Sequence, residues 1–388
     1  MYSLTLTRVF EGVYDMGKKA VAAGHICIDI TPVFPKNTRT IKALGELLKP
    51  GKLIHMSSPD VHTGGAVANT GLGMKKLGAD VRLVGKVGND VFGGMVQQIL
   101  KQHGAGDDLI VADGEVTSYS IVLAAPGIDR IFLHCPGAND TFDGTEIPDA
   151  VLDDCALFHF GYPTIMEKMY EEEGRHLAAL MKRMKEKSIA TSLDMAAIDP
   201  DSPAGKADWE AILAKVLPFV DFFVPSFEEL CFMLDRKRYE KLIEKAGNGD
   251  ITAVISIEKD IEPLARKCID LGARSVLLKC GAPGLYFRAS DNMGTTGSRL
   301  DLNEKEWNGY CRFEKSFKID KVLSGTGAGD TSIAAFLTSI LEGNSPGVAL
   351  ENAAAAGALC CMSYDAVSGL TSLSDLRKRI EAGWEKRE

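Results

Sequence analysis

Asp330 directly follows Gly327, Ala328 and Gly329. It precedes an apolar run in which Ile333, Phe336, Leu337, Ile340 and Leu341 fall at helical spacing. These four residues therefore open a helix. At such an end the first backbone N–H groups lack intrahelical partners and the dipole is positive. Anions bind there, phosphate above all, and small residues let a phosphate come close to the backbone. A carboxylate in that place repels phosphate unless it has chemistry of its own to do. Taking the proton from a hydroxyl that attacks phosphorus is such chemistry. An ordinary helix cap has the same local pattern, so the wider sequence has to decide.

Other phosphate-handling motifs are missing. Every Gly-Lys pair is followed by Lys, Leu, Val or Ala, so no G-x-x-x-x-G-K-[ST] exists. There is no H-R-D or D-F-G. No G-x-G-x-x-G follows the first apolar run, which speaks against a dinucleotide dehydrogenase.

The elements that must position Asp330 read as alternating strands and helices. Ala20–Ile30, Val81–Val87, Cys155–Phe160, Ile189–Met195, Val220–Pro225 and Ser275–Cys280 are expected as buried strands. Between them, Phe92, Met95, Val96, Ile99 and Leu100 share one helical face, as do Leu177, Leu180, Met181 and Met184. That alternation implies an α/β fold with a parallel sheet covered by helices on both sides. Two segments break the rhythm: 31–63, rich in Pro, Lys and Gly, and 115–135, two β runs around a Pro-Gly turn. They are expected either to pair as a small sheet forming a lid or to decorate the main sheet's edge. The polar stretch 290–314 reads as a surface loop.

A net charge of -9 argues against general nucleic-acid binding or attachment to an anionic membrane. No run of apolar residues is long enough to span a bilayer, and residues 1–19 lack a signal-peptide core. Nine cysteines without a C-x-x-C pair fit reduced thiols in a cytoplasm. Seven histidines show no zinc spacing.

Further motifs join Asp330. Gly64-Gly65-Ala66-Val67-Ala68-Asn69 reads G-G-x-x-A-N, and Ser324–Asp330 approximates D-T-x-G-A-G-D. Val84–Gly93, Pro136–Asp140 and Lys279–Gly284 add intermediate pieces. With them the chain resembles the ribokinase-like carbohydrate kinases, the family that includes the minor type of phosphofructokinase. The likeness runs from about Gly24 to the last helices.

The resemblance implies a doubly wound, mostly parallel sheet with helices on both faces and a small β lid. It places an extension at 1–19 and the kinase domain at 20–388, with lid segments at about 31–63 and 115–135. It implies transfer of the γ-phosphate of ATP to a sugar-like alcohol, with Mg²⁺. Asp330 matches the family's base, and Gly327, Ala328 and Gly329 its anion hole. Asp29, Gly64, Gly65 and Asn69 match the sugar site. Lys279, Gly281, Gly284, Thr326 and Asn352 match the nucleotide side, Asn352 flanking adenine. Glu229 matches an acid that organises Mg²⁺ through water, although Ser226 replaces the Asn of that element. Read by themselves, Asn69 is an ordinary helix polar residue, Asp29 a strand cap, and Glu228 and Glu229 acids of a helix's first turn.

Ser324 and Gly325 replace the leading Asp-Thr, which leaves a monovalent-cation requirement open. Cys27, where ribokinases have a polar residue, argues against ribose. Arg130, in the expected lid, reads as solvated. A homodimer through the lid is a further implication. The rival readings are a nucleoside kinase of the same fold, with Phe34, Tyr119 and Phe132 as candidates to stack on a base, and a catalytically silent sugar sensor.

Overall fold

The structure is a computed structural model. It describes residues 18–387 except 37, 43, 128–129, 248, 295–298 and 301. The expected 1–19 extension therefore lies outside the described residues apart from Lys18 and Lys19, and Lys19 already begins a strand.

In chain order the strands are β1 (Lys19–Gly24), β2 (Cys27–Thr31), β3 (Asp60–Gly64), β4 (Asp80–Val84), β5 (Lys86–Gly88), β6 (Ile110–Ala112), β7 (Tyr119–Leu123) and β8 (Ile131–Cys135). They continue with β9 (Cys155–Gly161), β10 (Ala190–Asp194), β11 (Phe222–Phe223), β12 (Ser275–Lys279), β13 (Gly284–Ala289) and β14 (Cys311–Lys315). Helices of eight residues or more are α1 (Ala66–Leu77), α2 (Val91–Gln102), α3 (Glu167–Glu186), α4 (Trp209–Val216) and α5 (Phe227–Leu234). They are followed by α6 (Arg236–Ala246), α7 (Glu262–Asp270), α8 (Ala328–Leu341), α9 (Pro346–Cys360) and α10 (Leu373–Glu381).

The main sheet has eight strands in the order β14-β13-β12-β11-β10-β9-β1-β4. From β4 to β12 every pairing is parallel; β13 and β14 add antiparallel strands. Its two faces bury separate cores. Ala20, Ala22 and Leu157 pack with α1, α8 and α9, whereas Val21, Ala23, Phe158 and Phe160 pack with α3, α4 and α5. The period-2 alternation of the strands thus serves two helix layers at once. The chain runs from β1 to β4 on one side and returns to β9 on the other. The crevice beyond the carboxyl ends of β1 and β9 is therefore a topological switch point, where such sheets bind ligands.

A second sheet, β3-β2-β7-β8, draws on both irregular segments. Its central strand corrects the sequence reading. The expected single strand Ala20–Ile30 breaks at His25-Ile26, and its second half, with Asp29, leaves the main sheet. Gly24 is the cause. Its φ is +123°, and a Cβ there would stand 2.3 Å from the Gly161 carbonyl oxygen. Asn139 pins the corner by accepting from Ile26 N and donating to Ile26 O.

Two other expectations are corrected. Val81–Val87 divides at Gly85, where a Cβ would press on Ile26. The 290–314 stretch is not only loop, since it contains most of β14 and the buried Trp307, which packs against Phe222, Phe287 and Phe336. The mostly exposed CRFEK pattern of β14 gives an edge strand little apolar periodicity to read.

Candidate active site

The apolar-rich run after Asp330 folds as α8, buried on all sides from Asp330 to Leu341. Its N-cap is Gly327, at φ +74°, with no side chain capping the helix. A Cβ on Gly327 would stand 2.3 Å from that of Ala366, so only glycine fits. The uncapped first turn borders a cleft of about 410 Å³ lined by Gly327–Asp330, Tyr162, Asp194, Glu229 and Lys279. A second cavity of about 380 Å³ shares Lys279, Gly281, Ala328 and Gly329 with it and continues into apolar walls at Leu285, Phe317 and Ala358.

Asp330 is 5% exposed and both its oxygens are held. Tyr162 donates its hydroxyl to Oδ1 at 2.6 Å, and Asn69 donates Nδ2 to Oδ2 at 3.0 Å. Asn69 comes from the first turn of α1, and Tyr162 directly follows β9, with a φ of +68° that side chains rarely adopt. Lys279, at the end of β12, reaches Asp194, at the end of β10, with Nζ 2.6 Å from Oδ1. Asp194 Oδ2 is buried with no hydrogen-bond partner. Glu229 lies in the first turn of α5, where it closes a capping box. Its N–H donates to Ser226 Oγ at 3.2 Å, and its Oε2 accepts from Ser226 N at 2.8 Å. Cap and cleft residue are thus both correct descriptions of Glu229.

One ammonium faces the buried carboxyls of Asp330 and Asp194 and the half-buried one of Glu229. Burial raises Asp330, Asp194 and Glu229 above the ordinary carboxylate range; Lys279 pulls all three back, and Tyr162 and Asn69 also hold Asp330 down. Burial lowers Lys279, but Asp194, Glu229 and Asp330 outweigh it and leave the ammonium above its usual value. The Tyr162 hydroxyl is driven well above its usual value by burial and by the Asp330 charge.

At the other end of the crevice Asp29 lies on β2, and its Oδ2 occupies the place of a Cβ on Gly64, 2.2 Å from the ideal position. Gly65, at φ +87°, similarly makes room for His25. Cys27 donates its thiol to Asp29 at 3.3 Å.

The structure therefore gathers Asp330, Gly327, Ala328, Gly329, Asn69, Lys279, Gly281 and Glu229 around the first cavity or directly against it, with Gly284 in the second. Asp29, Gly64 and Gly65 stand together at the start of α1. Thr326 lies behind the turn, with its N–H donating to Ser324 Oγ at 3.1 Å. Asn352 does not reach the cleft. It is 1% exposed and donates to Ser339 Oγ at 2.9 Å between α9 and α8, and Ala354, Gly357 and Ala358 of the same helix line the cavity instead. Three small residues leave space where an Asn was expected to flank a ring.

Tyr162 and Asp194 escaped the sequence reading. Asp194 has a visible signal, as the one charge in the buried run IATSLDM. Tyr162 has none, because only the register of β9 against β1 aims it at Asp330.

A sequence model of the pfkB carbohydrate kinase family matches residues 18–372. A 5-dehydro-2-deoxygluconokinase from Clostridium beijerinckii is 24% identical over 374 residues, 95% of each chain. Fructokinase-2 of Zea mays is 24% identical over 327 residues, 82% of this chain and 84% of that one. A ribokinase from Arabidopsis thaliana, solved with ribose and ATP, superposes with a TM-score of 0.70 at 20% identity, over 94% of this chain and 98% of that one. Since the family match takes in both glycine motifs and every strand of the main sheet, this chain belongs to the pfkB family of carbohydrate kinases.

Proposed function

We propose that the chain transfers the γ-phosphate of ATP to a hydroxyl of a small sugar or sugar-like alcohol, with Asp330 as general base. The observation that carries this is the Asp330 carboxylate, held by Tyr162 and Asn69 at the uncapped start of α8 in one cleft with Lys279. Asp330 takes the proton of the attacking hydroxyl. The amides of the Gly327–Gly329 turn receive charge that builds on the moving phosphoryl oxygens. Lys279 holds phosphate oxygens, and the nucleotide's flat ring lies over Ala354 and Ala358 in the apolar cavity. The β3-β2-β7-β8 sheet closes as a lid and excludes water from the transfer.

Magnesium fits this site as a partner of the nucleotide. Among the described residues no group of three or more His, Cys, Asp or Glu could hold a metal by itself. Mg²⁺ typically takes one or two carboxylates together with phosphates and water. Glu229 and the unpartnered Oδ2 of Asp194 supply those carboxylates. Bound there, the ion neutralises phosphate charge.

Among the described residues no helix is long and apolar enough to cross a membrane. A cytoplasmic enzyme is the reading we favour. A homodimer through the lid belongs to the same proposal, since Phe132 and Leu133 are exposed on the edge strand β8; light scattering tests it. The minor phosphofructokinase type would require an acceptor already carrying phosphate.

ADP release, measured against a panel of sugars, sugar acids, a sugar phosphate and nucleosides, tests the proposal. Release that depends on a sugar and is lost in Asp330→Asn is expected. Turnover on nucleosides alone would replace the sugar reading, and binding of sugar without any ADP release would indicate a silent sensor. The relatives are named for acceptors as unlike as a gluconate and fructose, so family membership does not choose between an acid and a neutral sugar.

A further inference from the structure

On the kinase reading above, we propose that the acceptor subsite takes a neutral polyol and turns away a sugar acid, because His62, Asp29, Ser120 and His134 form one polar row across the small sheet and His25 closes its inner end.

The row follows from register. Asp29 pairs with His62 on β3 and with Ser120 on β7, and Ser120 pairs with His134 on β8. Residues directly opposite one another in a sheet project from the same face, so the four side chains line one surface. Asp29 is half-buried on it, and His134, although much of its surface is open, keeps its two ring nitrogens against Ser120 and His25. The His25 ring lies 5.2 Å from that of His134 and 6.2 Å from that of Tyr162, whose hydroxyl is on Asp330. His25 therefore links the row to the tyrosine that holds the base.

With Asp29 as a carboxylate the hydrogen bonds run in one direction. A carboxylate only accepts, so the single hydroxyl proton of Ser120 goes to it. Ser120 Oγ, 3.1 Å from His134 Nδ1, then accepts from that nitrogen. His134 Nε2 is left as an acceptor and accepts a hydrogen bond from His25 Nε2 at 3.4 Å. His25 Nδ1 ends the chain as a bare lone pair, buried and without a partner. Neither imidazole is cationic at neutral pH. Burial and the neighbouring ring bring His25 down to about 3, and burial lowers His134 more than Asp29 and Asp140 raise it.

The charged groups facing the row are predominantly acidic. They are Asp29, Asp140 beside His134, and Asp60, which holds His62 Nε2 at 2.6 Å. Arg130, just ahead of β8, makes a contact of its own within the chain. The row thus offers lone pairs and negative charge. Hydroxyls meet it as donors, whereas a carboxylate meets like charge and no spare N–H on the His25–His134 pair.

The test is ADP release and calorimetric binding by the full chain, with neutral aldoses, ketoses and polyols set against aldonic and keto-deoxy acids. A preference for neutral acceptors of about tenfold or more in kcat/KM is expected. His134→Gln should raise the KM for the neutral acceptor and leave that for ATP unchanged. His134→Arg, which places a fixed cation in the row, should move the ratio toward acids. Equal or better use of the acids by the unmodified chain overturns the inference and leaves the kinase reading intact. If no acceptor elicits ADP release, the kinase reading fails, and calorimetry with the same two classes still decides the subsite: tighter binding of acids would sink it.

Discussion

The Asp330 carboxyl is pulled in opposite directions by its burial and by its hydrogen-bond donors, and that has two measurable consequences. Its carboxyl is raised by burial and held back chiefly by the Tyr162 hydroxyl at 2.6 Å. A hydrogen bond to a charged group contributes about 1.5–3 kcal/mol, and one pKa unit corresponds to about 1.4 kcal/mol. Tyr162→Phe should therefore move the acid limb of the kcat/KM profile up by about one to two pH units. An unmoved limb with lower activity would reduce Tyr162 to packing. The second consequence concerns stability. A carboxyl whose folded pKa lies above its unfolded value binds its proton more tightly in the folded chain. Its contribution is then greatest at low pH and is lost as pH rises through the shifted value. Asp330→Asn removes that loss. It should lower kcat by about 10²–10⁴ while the melting temperature at neutral pH stays level or rises. A marked fall in melting temperature would show that the carboxylate supports the fold rather than the chemistry.

The start of α8 and the β3–α1 junction both depend on a close approach that only glycine allows. At the β3–α1 junction a Cβ on Gly64 would meet Asp29 Oδ2 at 2.2 Å and Cys27 Sγ at 2.9 Å. Gly64→Ala should displace the Asp29 carboxylate and raise the acceptor KM about tenfold or more, with the ATP KM little changed. An equal rise in both constants would place the damage in the sheet as a whole. The same junction marks how far the sequence was legible. The start of α8, the glycine-rich entry to α1 and the parallel strands could be read because each is written in local spacing: small residues, then a 3.6-residue or continuous apolar pattern. The departure of β2 could not, because the close approach at Gly24 is to Gly161, brought there only by folding. Asn352 was misplaced for the same reason. ENAAAAGALCC is buried nearly all round, so composition does not reveal which side faces the cleft. Tyr162 and the His25–His134 pair needed strand register, which no single segment carries.

At the scale of the whole molecule, the crevice beyond β1, β9, β10 and β12 collects charge that the protein does not balance. The chain carries a net -9, and in the cleft Asp194, Glu229 and Asp330, with Glu228 and Asp250 on the same lining, face the ammonium of Lys279. Bringing a nucleotide's phosphates there adds like charge where burial already penalises it. The arrangement is workable only if a divalent cation arrives with the nucleotide, since the described residues provide no metal cage of their own. Chelation by EDTA should therefore abolish turnover. Titration of Mg²⁺ into the nucleotide-free protein should give binding weaker than about millimolar, and the same titration with an unreactive ATP analogue present should tighten it by tenfold or more. Glu229→Gln should weaken that coupling while retaining nucleotide affinity in the absence of metal, because the amide keeps the size but loses the charge. Asp194 is the harder case. Asp194→Asn removes the partner of Lys279, and a buried ammonium freed in this way should bind the phosphates more tightly without metal and lose the dependence on it. Tight Mg²⁺ binding to the nucleotide-free chain would contradict this view, because it would mean that the three carboxylates hold the ion by themselves and the nucleotide is a passenger.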